Sequence, residues 1–394
     1  MLSTGYFFVM HNLKQPLTVT QPHPKLAPIM VLDRSTIRTS GTRTMMLLGD
    51  ARQVHLSRWA EYFLDIGYDV ATFSLEKVTR FPGQYHHIDI STFWPDALRY
   101  PLAVPQLRWH LRDLKPHIVN AHFVPNYGTI ARMLGHHPWV MSTWGSDIMT
   151  DPDKSRFHRR RTLRALHDAD YVTSDARIMS ERVVSFGIPD DRVITFPYGV
   201  DVNHFRPAPH PAADGPRIVT NRKLEPVYSV QTVLDAFAGV HAELPDAMLT
   251  VAGDGRMRQL LLNLAGRSLA TSRIVFVGDV QHDRMPMLLR ENQIYVSMSL
   301  SDTTSVSLLE AMATGLFPIV SDIPANREWI THRENGLLVP VEQPLQLAHS
   351  IIGAWRDKPL LQRAREQNLS IIHERAQWQD NMSIVRELFD SILR

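Results

Sequence analysis

Two carboxylates eight residues apart, Asp302 and Glu310, lie in one segment whose side chains and backbone could bind a ligand, DTTSVSLLEAMATGLFP. Its apolar residues repeat at i, i+3 and i+7, which predicts a short helix with one face on a core. Ser305 or Ser307 is suited to cap the start of this helix, and Gly315 is suited to end it. Because the first backbone N–H groups of a helix are free, the segment predicts an anion site that suits a diphosphate.

Glu310 falls inside this predicted helix among apolar neighbours. A carboxylate held in such surroundings needs a hydrogen-bonding partner. A pair of sugar hydroxyls would supply one, and so would an internal partner in an ordinary amphipathic helix. The residues alone leave both interpretations open.

The elements around this segment predict two successive α/β halves. The helix after the first strand places Leu56, Trp59 and Phe63 on one face and ends at Gly67. The predicted strands of the first half cover residues 44–49, 68–73, 117–122, 139–143, 171–174 and 193–197. Those of the second half cover residues 217–220, 248–253, 274–278, 294–299, 317–321 and 336–340. Residues 78–105, which contain four prolines, are predicted to form a loop that lines a cleft.

A proline-rich break at residues 204–216 predicts the linker between the halves. The domains predicted on either side are an irregular N-terminal extension, an N-terminal domain, a C-terminal domain and a final helix, over residues 1–43, 44–205, 206–375 and 376–394. Doubly wound parallel sheets bind ligands outside the carboxyl ends of their strands. The sequence therefore predicts an α/β fold with a cleft between two parallel-sheet domains.

The segment that begins at Asp302, together with the following SDIPANREWITHRENGLLVP, resembles the Glu-x7-Glu motif of retaining family-4 glycosyltransferases with the GT-B fold. The resemblance implies that Glu310 binds the nucleotide ribose and that Asp302 meets the donor sugar. Asp302 is one methylene shorter than the family's Glu, and Thr303, Thr304 and Ser305 replace the usual Gly-Phe-Gly. The resemblance also implies that the final helix crosses back to the N-terminal domain.

Two cations follow the first strand of the second half, in NRKLEPVY. This stretch resembles the Arg-Leu-x-x-x-Lys segment with which the family grips the diphosphate, which places that role on Arg222 and Lys223. Tyr228 stands where the family has its later Lys, and its hydroxyl could donate a hydrogen bond instead. The alternative is a pair of solvated basic residues at a strand end.

Further site residues follow from the same resemblance. HIVNAHF is similar to the family's His-x-His strand end, which places His122 beside the donor sugar, as a hydrogen-bonding group or an aid to acceptor deprotonation. The implied donor contacts are Gly253, Gly255, Val280, Thr303, Thr304, Ser305 and Val306. The implied acceptor and phosphate loop contains Gly49, Asp50, His55 and Asp147. A structural His at 122, a plain turn at Gly253, helix packing by His55 and a turn cap at Asp147 are the alternatives.

Composition narrows the class of protein further. The 394 residues are 44% hydrophobic and 21% charged with a net charge of +2, which does not indicate nucleic-acid binding. The absence of Cys excludes disulfides, thiolate catalysis and Cys-ligated metal sites. The lack of Cys also fits a cytoplasmic protein, which is what we expect. No apolar run reaches the length of a membrane span. P-loop, nucleophile-elbow and zinc-helix motifs are also missing.

Two charged stretches bear on metals and membranes. Asp151-Pro152-Asp153 has the Asp-x-Asp form of metal-dependent glycosyltransferases, but Pro between the acids favours a turn, so we expect no metal and no other cofactor. Residues 154–164 carry six basic side chains on a predicted helix. They indicate either a solvated helix face or peripheral contact with anionic lipid at the inner face of the membrane.

The sequence as a whole predicts a retaining, metal-independent glycosyltransferase. It would move a hexose from a UDP- or GDP-sugar to a hydroxyl acceptor, which could be a sugar, a lipid-linked sugar or a small molecule in glycolipid, polysaccharide or glycoconjugate synthesis. A nucleotide-sugar epimerase with the same fold and a non-catalytic scaffold are the alternatives.

Overall fold

A computed structural model describes residues 42–209 and 213–394. The predicted extension over 1–43 lies outside the described residues except for its last two. The first half is a seven-stranded parallel sheet in the order β3-β2-β1-β4-β5-β6-β7. Its strands are β1 (Thr44–Leu48), β2 (Asp69–Ser74), β3 (Gln84–His87), β4 (Ile118–His122), β5 (Trp139–Ser142), β6 (Tyr171–Ser174) and β7 (Val193–Thr195).

The second half is a six-stranded sheet in the order β10-β9-β8-β11-β12-β13, and every pairing in it is parallel. Its strands are β8 (Arg217–Thr220), β9 (Met248–Ala252), β10 (Ile274–Gly278), β11 (Ile294–Ser297), β12 (Phe317–Ser321) and β13 (Leu337–Val339). The prediction of two doubly wound parallel sheets is confirmed.

Helices cover both faces of each sheet. In the first half they are α1 (Val54–Asp65), α2 (Asp96–Leu102), α3 (Val104–Leu114), α4 (Thr129–Leu134), α5 (Ser146–Met149), α6 (Arg156–Asp168) and α7 (Arg177–Ser185). In the second half they are α8 (Val230–Glu243), α9 (Arg258–Arg267), α10 (Met285–Arg290), α11 (Val306–Ala313), α12 (Pro324–Arg327), α13 (Pro344–Arg356), α14 (Lys358–Arg375) and α15 (Trp378–Ile392). A π-helical segment, Phe123–Gly128, follows β4 directly.

Strands buried on both faces explain the nearly continuous apolar runs of the sequence. In β1, Met46 and Leu48 pack toward α2, α3, α4 and α6, whereas Met45 and Leu47 pack toward α1 and α15. The last helix, α15, thus belongs to the core of the first half although it follows the second. Its Phe389 stacks on Phe63 of α1 with ring centroids 5.0 Å apart.

The prediction of a loop over residues 78–105 is wrong, because this region contains β3, α2 and the start of α3. Pro101 lies inside α2, near its end, and two of the other prolines fall where a helix tolerates them. Pro95 precedes α2, and Pro105 lies in the first turn of α3, where a missing N–H costs no helical hydrogen bond.

Candidate functional site

A cavity of about 730 Å³ lies at the carboxyl ends of both sheets. Loops after β1, β2, β4, β5 and β6 line it from the first half, and the loop after β8 and the start of α11 line it from the second. Ten of the sixteen predicted site residues line it, namely Asp50, His55, His122, Arg222, Lys223, Asp302, Thr303, Thr304, Val306 and Glu310. The parallel topology brings these distant residues together because ligands bind at this edge of such sheets.

Arg222 and Asp302 form an ion pair at the floor of this cavity. The guanidinium donates from Nη2 to Asp302 Oδ2 at 2.6 Å and from Nη1 to the hydroxyls of Ser305 and Ser307 at 2.6 and 2.8 Å. Its carbon atom Cζ lies 4.2 Å from the ring centroid of Tyr228. Both side chains are largely buried, and a buried charge must be paired and hydrogen-bonded in this way. The predicted phosphate-binding cation and the predicted sugar-binding carboxylate are therefore direct partners.

Two glycines lie against the backbone of residues 222–224. A Cβ on Gly253 would lie 2.5 Å from the Arg222 carbonyl oxygen, and one on Gly255 would lie 2.5 Å from that of Leu224. Neither glycine lines the cavity, and neither does Val280. The donor contacts of these three residues therefore stay predictions. The close approach of two backbones, which only glycine permits, gives Gly253 and Gly255 a structural role in addition.

The start of α11 opens into the cavity. Ser305 caps the helix, since its hydroxyl accepts from the Leu308 backbone N–H at 3.3 Å, and it lies behind the lining residues Val306 and Ser307. Gly315 ends the helical turn with a φ of +84°, as its C-cap assignment predicts. The first N–H groups of α11 are thus directed at the same volume as the Arg222–Asp302 pair.

Two threonines of the stretch that replaces the family's Gly-Phe-Gly, Thr303 and Thr304, connect the two halves. Thr304 donates from Oγ1 to the Asp175 carbonyl oxygen at 2.6 Å, and Thr303 donates to Asp175 Oδ2 at 3.3 Å. Asp175 lines the cavity just after β6, and its Oδ1 is buried with no hydrogen-bond partner. Burial, and then the neighbouring charge of Asp302, raises the pKa of Asp175 to about 8. The sequence reasoning missed this residue, although an acid directly after a predicted strand was a usable signal.

Glu310 has a partner within the chain. Its carboxylate is buried at the cavity wall, where Oε1 lies 3.3 Å from Nε2 of the half-exposed His282. This contact is the kind of internal partner that an ordinary amphipathic helix would provide. The carboxylate still faces the cavity, so one contact at 3.3 Å does not use up the hydrogen-bonding capacity of its two oxygens.

His122 is held by two side chains. Its Nδ1 accepts from Trp144 Nε1 at 3.1 Å, so the proton is on Nε2, which donates to Asn120 Oδ1 at 2.8 Å. Burial and the nearby His55 lower the pKa of His122 to about 3, and the ring is neutral. With both nitrogens engaged, His122 lines the cavity as a rigid apolar edge, which favours the structural interpretation of this histidine.

His55 differs from His122 because its Nδ1 is buried without a partner. Its ring packs against Trp144 and Tyr198 with centroids 4.9 and 4.4 Å away. Burial and then Arg58 and Lys223 lower the pKa of His55 to about 4, so the ring is neutral. The neutral ring lines the cavity, but its unpartnered Nδ1 is not exposed to solvent there.

Of the other residues predicted on the acceptor side, one lines the cavity and two do not. Asp50 lines the cavity and pairs with Arg52 at 2.7 Å. Asp147 does not line it, because its carboxylate accepts from the backbone N–H groups of Val124 and Trp144 at 3.1 and 3.0 Å. Gly49 is also outside the lining, with α1 packed so close that a Cβ would lie 2.6 Å from Leu56. The turn-cap alternative therefore describes Asp147.

A second polar cluster lines the first half's wall and was absent from the sequence predictions. The buried carboxylate of Glu76 accepts from the Tyr127 hydroxyl, from Ser74 at 3.2 Å, and from Arg99 and Tyr100 at 3.3 Å each. Arg99 and Tyr100 belong to α2, in the region predicted as a loop. The cluster could not be found from the sequence, because its residues come from three segments that are far apart in the chain: β2 with the loop after it, α2, and the π-helical segment.

The acidic and histidine side chains of the described residues form no cluster suited to a metal ion. Among residues 42–209 and 213–394, no three His, Asp or Glu side chains are placed to hold a metal ion together. The Asp151–Asp153 stretch forms a 3-10 turn, and its carboxylates pair with Lys154 and Arg182.

Comparison with known proteins relates both halves to one group of enzymes. The profile described as "Glycosyl transferase 4-like" matches residues 45–176, and the profile "Glycosyl transferases group 1" matches residues 202–370. The chain is 25% identical over 259 residues to an uncharacterized glycosyltransferase of Methanocaldococcus jannaschii, covering 61% of this chain and 64% of that protein. It is 31% identical over 179 residues to the phosphatidyl-myo-inositol mannosyltransferase of Mycobacterium tuberculosis, covering 43% of this chain and 47% of that protein.

These matches span less than two thirds of either relative's length. Among solved structures, the Anabaena protein HepE in complex with UDP superposes with a TM-score of 0.73 at 15% identity, covering 89% of this chain and all of that chain. At this identity the superposition concerns the fold, which is the two-domain GT-B architecture.

The proton on Asp175 predicts a pH dependence of stability. Its pKa is raised from the ordinary 3.8 to about 8, so between these values the folded protein retains a proton that the unfolded chain has released. Stability contributed by this proton is present at low pH and is lost as pH rises through the folded pKa. We expect Asp175→Asn, which cannot ionise, to show a smaller fall in melting temperature than wild type between mildly acidic and mildly alkaline pH.

Differential scanning fluorimetry across that pH range measures the effect. Asp191→Asn, which removes an exposed carboxylate from the same half, is the matched control and should keep the wild-type slope. Parallel slopes for Asp175→Asn and wild type would contradict a protonated Asp175.

Proposed function

We propose that this chain, which belongs to the family-4 glycosyltransferases with the GT-B fold, moves a sugar from a nucleoside diphosphate sugar to a hydroxyl acceptor with retention of configuration. The observation that carries the proposal is the Arg222–Asp302 pair at the start of α11, with Glu310 eight residues further along in the same cavity. This places a cation, a helix N-terminus and two carboxylates around one volume. A diphosphate, a ribose and a hexose require these groups together.

The chemistry to be supported is departure of the diphosphate. As the bond from the anomeric carbon to the phosphate oxygen breaks, negative charge develops on the leaving group, and fixed cations and helix dipoles stabilise it. Lys223 is exposed and lines the cavity, and Arg222 and the N–H groups at the start of α11 face the same volume. Asp302 orients Arg222 and is the acceptor for a donor-sugar hydroxyl.

Retention needs the acceptor to attack from the side that the diphosphate leaves. The acceptor oxygen bonds to the anomeric carbon, the bond to phosphate breaks, and the acceptor's proton passes to the departing phosphate oxygen. This route requires no protein base, and it agrees with the full occupation of the His122 nitrogens. The proposal includes no metal, because Lys223, Arg222 and the helix start supply the positive charge.

The first half supplies the acceptor side of the cavity. The Glu76–Arg99 pair presents charged hydrogen-bonding groups in fixed positions beside the neutral ring of His55, which suits a polyhydroxylated acceptor such as a sugar or a sugar-bearing lipid. UDP is the first nucleotide to test, since the Anabaena relative of the fold was solved with it, and GDP is the second.

Peripheral membrane contact through residues 154–164 remains part of the proposal, as does action in the cytoplasm. In the part of the chain described, no helix is both long and apolar enough to cross a bilayer. Lys154 and Arg159 lie beside Asp151 and Asp153, so fewer cations of the run are free than its composition indicates. Arg156, Arg160 and Arg164 are exposed at four-residue intervals on α6.

Removal of the Glu310 carboxylate tests the ribose assignment. Hydrogen bonds to a charged group contribute about 1.5–3 kcal/mol, so Glu310→Ala should weaken UDP or GDP binding roughly 10- to 100-fold and abolish most donor turnover. Isothermal titration calorimetry gives the affinity, and circular dichroism checks the fold. Glu334→Ala removes an exposed carboxylate of the same half and should bind as wild type. Unchanged nucleotide affinity in Glu310→Ala would overturn the assignment.

Lys223 is expected to act on the phosphates alone. Lys223→Ala should weaken binding of the nucleoside diphosphate roughly tenfold, because one exposed charge-assisted contact is lost, and leave binding of the bare nucleoside unchanged. Arg267→Ala, an exposed cation elsewhere on the second half, is the control. Equal loss for nucleoside and diphosphate would show that Lys223 acts by supporting the fold.

A further inference from the structure

The outer surface of α2 and α3 carries large apolar side chains in water. Phe93 is 87% exposed and Trp109 is 63% exposed. We call the whole set the apolar stripe, and its members are Phe93, Trp94, Leu98, Leu102 and Trp109. Single exposed apolar residues are ordinary on protein surfaces, but five within seventeen residues, three of them aromatic, mark an interaction surface.

The stripe follows one face of a nearly continuous helix. Ala103 ends α2 and begins α3 with helical angles, φ −73° and ψ −20°, so the helical path continues through it. Leu98, Leu102 and Trp109 are spaced by four and seven residues, which places them on one side. Phe93 and Trp94 directly precede α2, with ring centroids 6.1 Å apart.

The other side of the same helices is already occupied. Val104 and Leu107 pack into the core, and Arg99 donates to Glu76 in the cavity wall. A helix that is apolar on its outer side as well as its inner side needs a second apolar partner. The stripe therefore lies on the back of the element that forms the proposed acceptor wall.

Basic residues accompany the stripe on the same layer of helices. Helix α4 packs against both α3 and α6, and all three cover one face of the first sheet. On α6, Arg156, Arg160 and Arg164 are exposed, and so is the aromatic ring of Phe157. Arg112 on α3 is exposed beside Trp109, with Asp113 as an acidic neighbour.

We propose that this layer docks on an anionic lipid bilayer, with the apolar stripe entering the interface and the α6 arginines facing the headgroups. Trp, Phe and Leu with flanking cations are the composition of surfaces that lie in the plane of a membrane. Anionic headgroups attract the arginines, and the attraction falls with salt. A second copy of the chain is disfavoured as the partner, because a two-fold contact would bring the same arginines together.

Only the consequence of docking rests on the proposed function. Docking here would bring the acceptor side of the cavity close to a hydroxyl group carried by a lipid. Binding itself requires no transfer reaction, so it is tested separately. The protein is sedimented with vesicles of phosphatidylglycerol and phosphatidylcholine, and with vesicles of phosphatidylcholine alone, at low and high salt. Wild type should bind the anionic vesicles, less so at high salt, and leave the neutral ones largely unbound.

Three variants separate the contributions. Phe93→Ser/Trp109→Ser should lose at least tenfold in vesicle partitioning while its nucleotide affinity stays as in wild type. Arg156→Gln/Arg160→Gln/Arg164→Gln should bind less and lose most of the salt dependence. Leu269→Ser removes a side chain that is 98% exposed on the second half, and it should partition as wild type.

Each other outcome overturns the proposal. Wild type that stays in solution with anionic vesicles rules out the membrane, and unchanged binding of the Phe93→Ser/Trp109→Ser protein rules out the stripe. Analytical ultracentrifugation tests the alternative of self-association. If wild type is a dimer and the double substitution makes it a monomer, the stripe contacts a second copy of the chain. Glu310→Ala should still bind vesicles, so a failure of the proposed sugar transfer and a failure of this inference are distinguishable.

Discussion

The site depends on a charge pair that the fold must keep away from water. Burying the Arg222 guanidinium and the Asp302 carboxylate is costly unless each finds its partner and the remaining donors are satisfied. The structure meets this demand with Ser305 and Ser307 on the same side and with Tyr228 against the guanidinium face. The pair also connects the loop after β8 to the start of α11. The cation and the helix N-terminus therefore lie at the same part of the cavity.

A second set of contacts keeps this assembly opposite the first half. Thr303 and Thr304 reach Asp175, and the carboxylate of Glu328 accepts from the backbone N–H groups of Arg177 and Ile178 at 3.2 and 3.0 Å, which caps α7 from the other half. These contacts run from donor-side residues to the first half. Thr303 thus joins Asp302 to Asp175, because its backbone N–H donates to Asp302 and its hydroxyl donates to Asp175.

The fold could be predicted from the sequence because apolar strand runs and helical periodicities are local signals. Ten of the sixteen predicted site residues line the cavity, and these residues were predicted from the resemblance of their motifs to those of a known family. What the sequence did not reveal has physical causes. Gly253 and Gly255 were predicted to contact a ligand, and the structure adds a close approach to another backbone, which the sequence does not distinguish from ligand contact. The Glu76 cluster comes from three separate elements, and Asp175 acquires its significance from Thr303, which is 128 residues away in the chain.

The central claim is that Asp302 acts on the donor site through Arg222, and a double-mutant cycle on nucleotide affinity tests it most directly. Calorimetry would compare wild type, Arg222→Met, Asp302→Asn and the double variant with UDP, or with GDP if wild type binds that instead. Asp302→Asn should change the affinity in the wild-type background and have almost no effect once Arg222 is absent, because the pair acts as a unit. Additive effects of the two substitutions, or a wild type that binds neither nucleotide, would contradict the account.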